Sequence, residues 1–168
     1  LTFDGETAEG EPFAHMVPNG AMLPALYEAA ASAGVAFHAP DSAETFTNTN
    51  DHVSLTLASG QTLPTRLLIA ADGVRSKLRD LAGIRTVYWD YGQSGIVTTV
   101  KHERPHNGRA EEHFLPAGPF AILPLPGNRS SLVWTERTDE GRLLLDSDDF
   151  VFQSELERRF GHRLGRIE

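Results

Sequence analysis

Five consecutive apolar residues, Leu67-Leu68-Ile69-Ala70-Ala71, run without polar alternation into Asp72-Gly73. A strand with one wet face alternates, so an unalternating run suits a strand buried on both faces. Asp-Gly then permits a tight turn, and a short helix follows over about 76–82, closed by Gly83. Strand, turn and helix in that order form half of a nucleotide-binding unit.

Other segments organise around that unit. Residues 1–18 carry Gly5, Gly10, Pro12 and Pro18 among scattered acids and read as loop, with at most a short strand near 13–17. Met22, Leu23, Leu26, Ala29, Ala30 and Ala33 mark one helical stripe that stops at Gly34. Asn19 fits its N-cap, and Pro24 asks that the regular helix begin close to it. Residues 35–38 make a short strand candidate. Val53, Leu55 and Leu57 alternate with Ser54 and Thr56, and the Ala58-Ser59-Gly60-Gln61 turn returns the chain through 62–66 as a hairpin.

From Gly95 the pattern becomes four strands, at 96–101, 110–115, 120–125 and 130–135, separated by segments rich in Pro, Gly and Asn. That spacing predicts an antiparallel meander. A closing helix over about 147–160 carries Phe150, Val151, Leu156 and Phe160, with an acidic start and a basic end at Arg158 and Arg159, as the helix dipole favours. The expected class is α+β, an antiparallel sheet with helices plus part of an α/β nucleotide-binding domain. The expected divisions are 1–84, 85–146 and 147–168.

Charge narrows the partners. Lys and Arg number 15 against 23 Asp and Glu, and no Lys or Arg precedes Arg66. Nucleic-acid binding needs a basic face to neutralise phosphates, so that class is disfavoured. With no cysteine, these residues hold no disulfide, cysteine-ligated zinc, iron–sulfur cluster or thiol nucleophile. The longest apolar runs fall far short of the roughly 20 residues of a membrane helix. No signal-peptide pattern opens the chain, and the expected compartment is the cytoplasm.

Residues 66–79 are the strongest chemical candidate. An Asp at the carboxyl end of a buried strand can accept a hydrogen bond from a ribose hydroxyl, while helix amides and Arg79 can hold a pyrophosphate. Asp-Gly alone is an ordinary turn, and Ser76 alone an ordinary N-cap. The whole string, Arg66-Leu67-Leu68-Ile69-Ala70-Ala71-Asp72-Gly73-Val74-Arg75-Ser76-Lys77-Leu78-Arg79, resembles the Asp-Gly fingerprint of the FAD-dependent aromatic-ring hydroxylases, or class A flavoprotein monooxygenases, position for position. That resemblance implies that Asp72 and Gly73 meet the FAD ribose and pyrophosphate region and that Arg79 meets the nicotinamide nucleotide. Ser76 would cap the helix between them, and Arg75, Lys77 and Arg79 would form a positive cluster where two anionic nucleotides meet.

Further matches narrow the type. Trp89-Asp90-Tyr91-Gly92-Gln93, residues 111–114, Gly118-Pro119-Phe120-Ala121-Ile122-Leu123-Pro124-Leu125 and Ser131-Leu132-Val133-Trp134 are similar to the middle of the ubiquinone-biosynthesis hydroxylases. The resemblance implies an enzyme in which FAD, reduced by NAD(P)H, uses dioxygen to hydroxylate a phenolic ring. A polyprenyl phenol is the implied substrate, which would bring the complete enzyme to a membrane surface. Phe120, Ile122 and Pro124 are the expected substrate-pocket residues, because two prolines and Gly118 in one strand point to a surface approached by something other than another strand. No general acid or base is nominated. Family members also carry an opening Gly-x-Gly-x-x-Gly and a later Gly-Asp segment, neither of which occurs here. The sequence therefore reads as the centre of a larger enzyme, expected to bind FAD poorly by itself.

The remaining constellations point elsewhere. His102, His106 and His113 surround a hairpin loop and read as surface histidines rather than a metal site, since Pro105 breaks the helix that would align the first two. Ser94 lacks the strand-to-helix elbow of a hydrolase. Asp146, Asp148 and Asp149 read as a solvated helix start. Trp89, Tyr91, Phe114, Phe120 and Trp134 could line an aromatic substrate pocket but, at strand spacing, read mainly as core. Two rival readings stay open: hydroxylation of a soluble aromatic acid, and a cofactor-free module whose sheet mediates homo-oligomerisation.

Overall fold

The structure, a computed structural model, describes residues 10–12 and 14–168. It divides into two compact units, residues 1–26 with 90–168, and residues 27–89. Of the short strand expected at 13–17, residue 13 lies outside the described residues and 14–17 are irregular.

Helix α1 (Asn19–Ser32) contains the division between the units. Asn19 is its first residue rather than its cap, and the Pro18 carbonyl accepts the amide of Met22 at 3.1 Å. Pro24 therefore lies inside the helix, where it removes one intrahelical bond. At the other end Gly34, with φ +80, closes a Schellman turn. Its amide donates to the Ala31 carbonyl and that of Val35 to the Ala30 carbonyl, both at 3.0 Å.

In the unit of residues 27–89, β1 (Ala43–Asn48), β2 (Val53–Leu57) and β3 (Thr62–Thr65) form an antiparallel sheet with β2 in the centre. Leu55 faces Phe46 on one side and Leu63 on the other. Pro64 has no N–H to give, and it falls on the edge strand, where none is required. Helix α2 (Lys77–Leu81) follows. Two expected strands do not form: residues 35–38 and 67–71 belong to no ladder, and Leu67 and Ile69 stand 70% and 73% exposed. Local pattern announces a strand, but a ladder needs a partner.

The other unit is built on a four-stranded antiparallel sheet of β4 (Gln93–Lys101), β5 (Glu111–Leu115), β6 (Gly118–Leu125) and β7 (Arg129–Arg137). Its order is β4-β7-β6-β5, which corrects the simple meander. The last three strands follow one another through tight turns, whereas β4 lies beside β7, as in a Greek key. Residues 166–168 run along β4, with Lys101 and Glu168 exchanging backbone hydrogen bonds of 2.9 Å in both directions.

Alternation sends Ile96, Val100, Phe120, Ile122, Leu132 and Trp134 to one core, completed by Leu156, Phe160, Leu164 and Ile167. The last four come from α4 (Asp149–Phe160) and the segment after it, while α3 (Thr138–Leu145) precedes it. Asp148 caps α4 by accepting the Val151 amide at 2.9 Å. Trp134 and Phe120 are 0% exposed and pack edge to face at 6.1 Å, burial that contributes about 1.5–3 kcal/mol for a ring such as Phe120.

Charged groups lock this packing. The buried Glu136 carboxylate accepts the Trp134 indole N–H at 2.9 Å and an Arg159 N–H at 2.6 Å. The Arg159 guanidinium lies 4.4 Å over the Trp134 ring and also pairs with Glu155. That pairing, first of all, holds the Glu155 carboxyl below its usual range. On β5, Oε1 of Glu111 sits between Arg109 at 3.1 Å and Arg163 at 2.5 Å, held by charge rather than by an aligned hydrogen bond.

His102 is buried, which corrects its expected surface position. Its Nδ1–H donates to the Arg104 carbonyl at 2.7 Å, so Nε2 accepts the Ser130 hydroxyl at 3.1 Å. Among the expected core aromatics, Trp134 is buried, while Trp89, Tyr91 and Phe114 are 62%, 75% and 84% exposed.

Arg159→Ala strands the buried Glu136 carboxylate and is expected to lower the unfolding free energy by about 3 kcal/mol. Arg158→Ala, one residue away but exposed, should change it by no more than about 0.5 kcal/mol. Urea denaturation of the two variants checks the contrast.

Candidate functional site

The Asp72-Gly73-Val74 turn joins the extended residues 67–71 to α2. Gly73 adopts φ +89, which a residue with a Cβ takes only under strain. One oxygen of the Asp72 carboxylate accepts the Ser76 hydroxyl at 2.5 Å, and the other accepts the Leu78 amide at 3.3 Å. Ser76 Oγ in turn accepts the Arg79 amide at 3.0 Å. Ser76 is therefore the helix cap, and it is buried. The Ser76 hydrogen bond, foremost, holds the Asp72 carboxyl below its ordinary value.

Arg79 closes the loop from outside. Its Nη1 donates to the Val74 carbonyl at 2.9 Å, while Nε and Nη2 donate to Asp80 at 3.2 and 3.1 Å. The sequence predicts that α2 amides and the Arg79 guanidinium face a pyrophosphate. In this geometry the Leu78 and Arg79 amides serve Asp72 and Ser76, and the guanidinium serves the turn. Lys77 pairs with Glu44 at 2.8 Å. Arg75 is exposed and has no side-chain partner among the described residues, so the positive cluster is largely neutralised internally.

A cleft of about 590 Å³ adjoins the turn, lined by Arg66, Leu68, Gly73 and Arg79 and, from the sheet, by Phe46 and Asn48. The Gly73 and Val74 amides make no hydrogen bond among the described residues and can be offered to an anion. With Arg66 at the same cleft and apolar walls beside it, the residues fit the phosphate region of a nucleotide. Residue types alone could not reveal that Asp72, Ser76 and Arg79 shape the turn while backbone amides stay open.

The expected substrate-pocket residues lie in the other unit. Phe120 is 0% and Ile122 2% exposed, so both face the core rather than an open cavity. Strand alternation places Pro124 on the same face, and it remains only half-buried. A smaller cleft of about 400 Å³ opens beside Gln93, Ala117 and Arg137, where Gln93 Nε2 donates to the Ala117 carbonyl at 2.6 Å. The three histidines and the Asp146, Asp148 and Asp149 group form no metal-binding cluster among the described residues.

Ser76→Ala removes the cap and the strongest hydrogen bond to Asp72. It should cost about 1 kcal/mol in denaturation experiments. In an NMR titration the Asp72 carboxyl should move up toward its ordinary value of 3.8. Because the folded pKa is depressed, the stabilisation linked to Asp72 is present above that ordinary value and is lost as pH falls through the folded one. The variant should flatten this acid-side loss.

A sequence profile of the FAD binding domain matches residues 3–155. The ubiquinone hydroxylase UbiL of Rhodospirillum rubrum is 60% identical over 119 residues, covering 70% of this chain and 27% of that protein. The 3-demethoxyubiquinol 3-hydroxylase of Escherichia coli is 32% identical over 168 residues, 99% of this chain and 43% of that protein. Mouse mitochondrial ubiquinone biosynthesis monooxygenase COQ6 is 42% identical over 109 residues, 64% of this chain and 23% of its own. The chain thus spans less than half the length of these relatives. Among solved structures, a PqsL mutant of P. aeruginosa superposes with a TM-score of 0.65 at 21% identity, over 81% of this chain and 38% of that one. The flavin-dependent halogenase CmlS gives 0.66 at 17% identity, over 88% and 30%. Those two likenesses concern the fold. No described helix is long and apolar enough to cross a membrane. With the profile spanning most of its length, the chain belongs to the FAD binding domain family.

Proposed function

We propose that this chain is the central part of an FAD- and NAD(P)H-dependent monooxygenase that hydroxylates a phenolic ring, with a polyprenyl phenol of ubiquinone biosynthesis as substrate. The observation that carries the reading is the Asp72-Gly73-Val74 turn. It is braced from three sides by Ser76, Leu78 and Arg79, and Gly73, whose amide has no partner among the described residues, lines the same cleft as Arg66. The 60% identity to a ubiquinone hydroxylase supports the substrate class.

When bound, FAD supplies the oxygen-transfer chemistry, and the protein positions the reactants. Arg66 and the amides of residues 73 and 74 would hold phosphate oxygens. Asp72, Ser76 and Arg79 keep that loop in one shape, so binding need not order it. NAD(P)H as the reductant and a membrane-surface location belong to the proposal on the strength of the sequence resemblance. Pro124 is the expected pocket residue with surface still partly open to a ring.

The test uses the complete gene product. Purified protein should carry flavin absorbance, oxidise NADH or NADPH faster with a prenylated phenol, and yield a product heavier by one oxygen atom. Hydroxylation of soluble aromatic acids alone would favour the rival substrate class. Absence of flavin would leave the oligomerisation module. Within the same protein, Arg66→Met removes a charge-assisted contact and should weaken FAD binding about tenfold or more, read by flavin fluorescence titration. Since Arg66 has no side-chain partner among the described residues, its flavin-free stability should stay within about 0.5 kcal/mol.

A further inference from the structure

The charges of the larger unit are sorted toward its two ends. Asp139, Glu140, Asp146, Asp148 and Asp149 gather on α3 and at the start of α4, with Arg142 as the one cation between residues 138 and 157. Helix α4, 12 residues and so about 18 Å long, carries the chain to the other end. There residues 101–109, 125–129 and 162–168 meet. The His102 amide donates to the Asn128 carbonyl and the Arg104 amide to the Leu164 carbonyl, both at 2.9 Å, and the Glu103 amide donates to the Arg166 carbonyl at 3.1 Å. Lys101 faces Arg129 in the β4–β7 register, and Arg109 and Arg163 share Glu111. These crossings collect Lys101, Arg104, Arg109, Arg129, Arg163 and Arg166 at one end of the sheet, all of them exposed.

Carboxylates answer only part of this charge. Lys101 pairs with Glu168 at 3.4 Å, while Glu103 turns its carboxylate to the Arg166 amide at 3.3 Å. The Arg104 guanidinium bonds only to the His162 and Arg163 carbonyls at 3.4 Å, and that of Arg129 only to the Pro126 carbonyl at 3.2 Å. That of Arg166 has no partner among the described residues. A guanidinium carries five N–H donors, so Arg104, Arg129 and Arg166 keep most of theirs for something outside the unit. With a net charge of -8 the chain as a whole repels an anionic surface, and any attraction must be local to this end.

We infer that this basic end docks on an anionic phospholipid surface, with its guanidiniums on headgroup phosphates. The choice of occupant rests on the monooxygenase reading, in which a polyprenyl phenol is taken from lipid. The acidic α3–α4 end would turn away from the same surface, which orients the unit. Nucleic acid is the weaker occupant, because residues 101–109, 125–129 and 162–168 include no Phe, Tyr or Trp on which a base could stack.

Cosedimentation of the complete gene product with vesicles decides it, with no substrate or reductant present. The protein should bind vesicles of phosphatidylcholine mixed with phosphatidylglycerol at least about tenfold more tightly than phosphatidylcholine alone, and less tightly as salt rises. Arg166→Gln should weaken that binding about fivefold, and the triple variant Arg104→Gln, Arg129→Gln, Arg166→Gln about 100-fold. Arg142→Gln, at the acidic end, should leave it within about twofold. Should the triple variant fail to fold, Arg166→Gln still decides, since it breaks no side-chain contact among the described residues. Equal binding to both kinds of vesicle overturns the inference, as does wild-type binding by the Arg166 variant. Binding of single-stranded RNA as tight as that of the mixed vesicles at the same salt also overturns it. Turnover of a short-chain prenylated phenol dispersed in detergent tests the monooxygenase reading without a membrane, so the two failures are told apart.

Discussion

A carboxylate buried between an indole and a guanidinium is what the larger unit is organised around. Taking Glu136 out of water costs several kcal/mol unless its charge is answered. The answer comes from two directions at once, from Trp134 two residues earlier on β7 and from Arg159 near the end of α4. The same guanidinium lies over the Trp134 ring, so one side chain ties α4 to β7 through both the carboxylate and the indole. Phe120, Leu132, Leu156 and Phe160 then meet as consequences of that placement.

The smaller unit uses polar groups differently. Around Asp72 the hydrogen bonds are local, spanning at most six residues, and they shape a turn rather than join distant elements. Such a turn keeps its geometry without help from a large core, which suits a loop that presents backbone amides. Side chains direct their polarity to the loop, and the Gly73 and Val74 amides are left without a partner among the described residues.

Local pattern placed several elements, although the strands it announced at 35–38 and 67–71 belong to no ladder. Alternation at Val53, Leu55 and Leu57 marked β2, Gly34 marked the end of α1, and Ser76 marked the start of α2. Strand β1 escaped because Phe46 is its one large apolar residue, and α3 escaped because Gly141 interrupts a largely polar stretch. The pairing of β4 with β7 joins residues from 28 (Lys101 with Arg129) to 44 (Gln93 with Arg137) positions apart, and no local period records it. His102 misled for a related reason: a histidine beside a turn looks exposed until a distant serine, Ser130, is found against it. At the site, the string of residues 66–79 identified the turn but not the roles. Donors and acceptors within six residues of one another can satisfy each other, and only their geometry shows that they do.

Gly118 carries a consequence beyond its own turn. It sits at φ +147 where β6 begins, and a Cβ there would come within 2.4 Å of the Thr135 methyl on β7. The position thus works as a register pin. Slippage of β6 by one residue would put a bulkier neighbour against Thr135. It would also turn Phe120 and Ile122 outward and bring Ala121 and Leu123 into the core in their place. The packing of Phe120 and Ile122 in the core is therefore guarded by the smallest residue in the strand, through what it lacks.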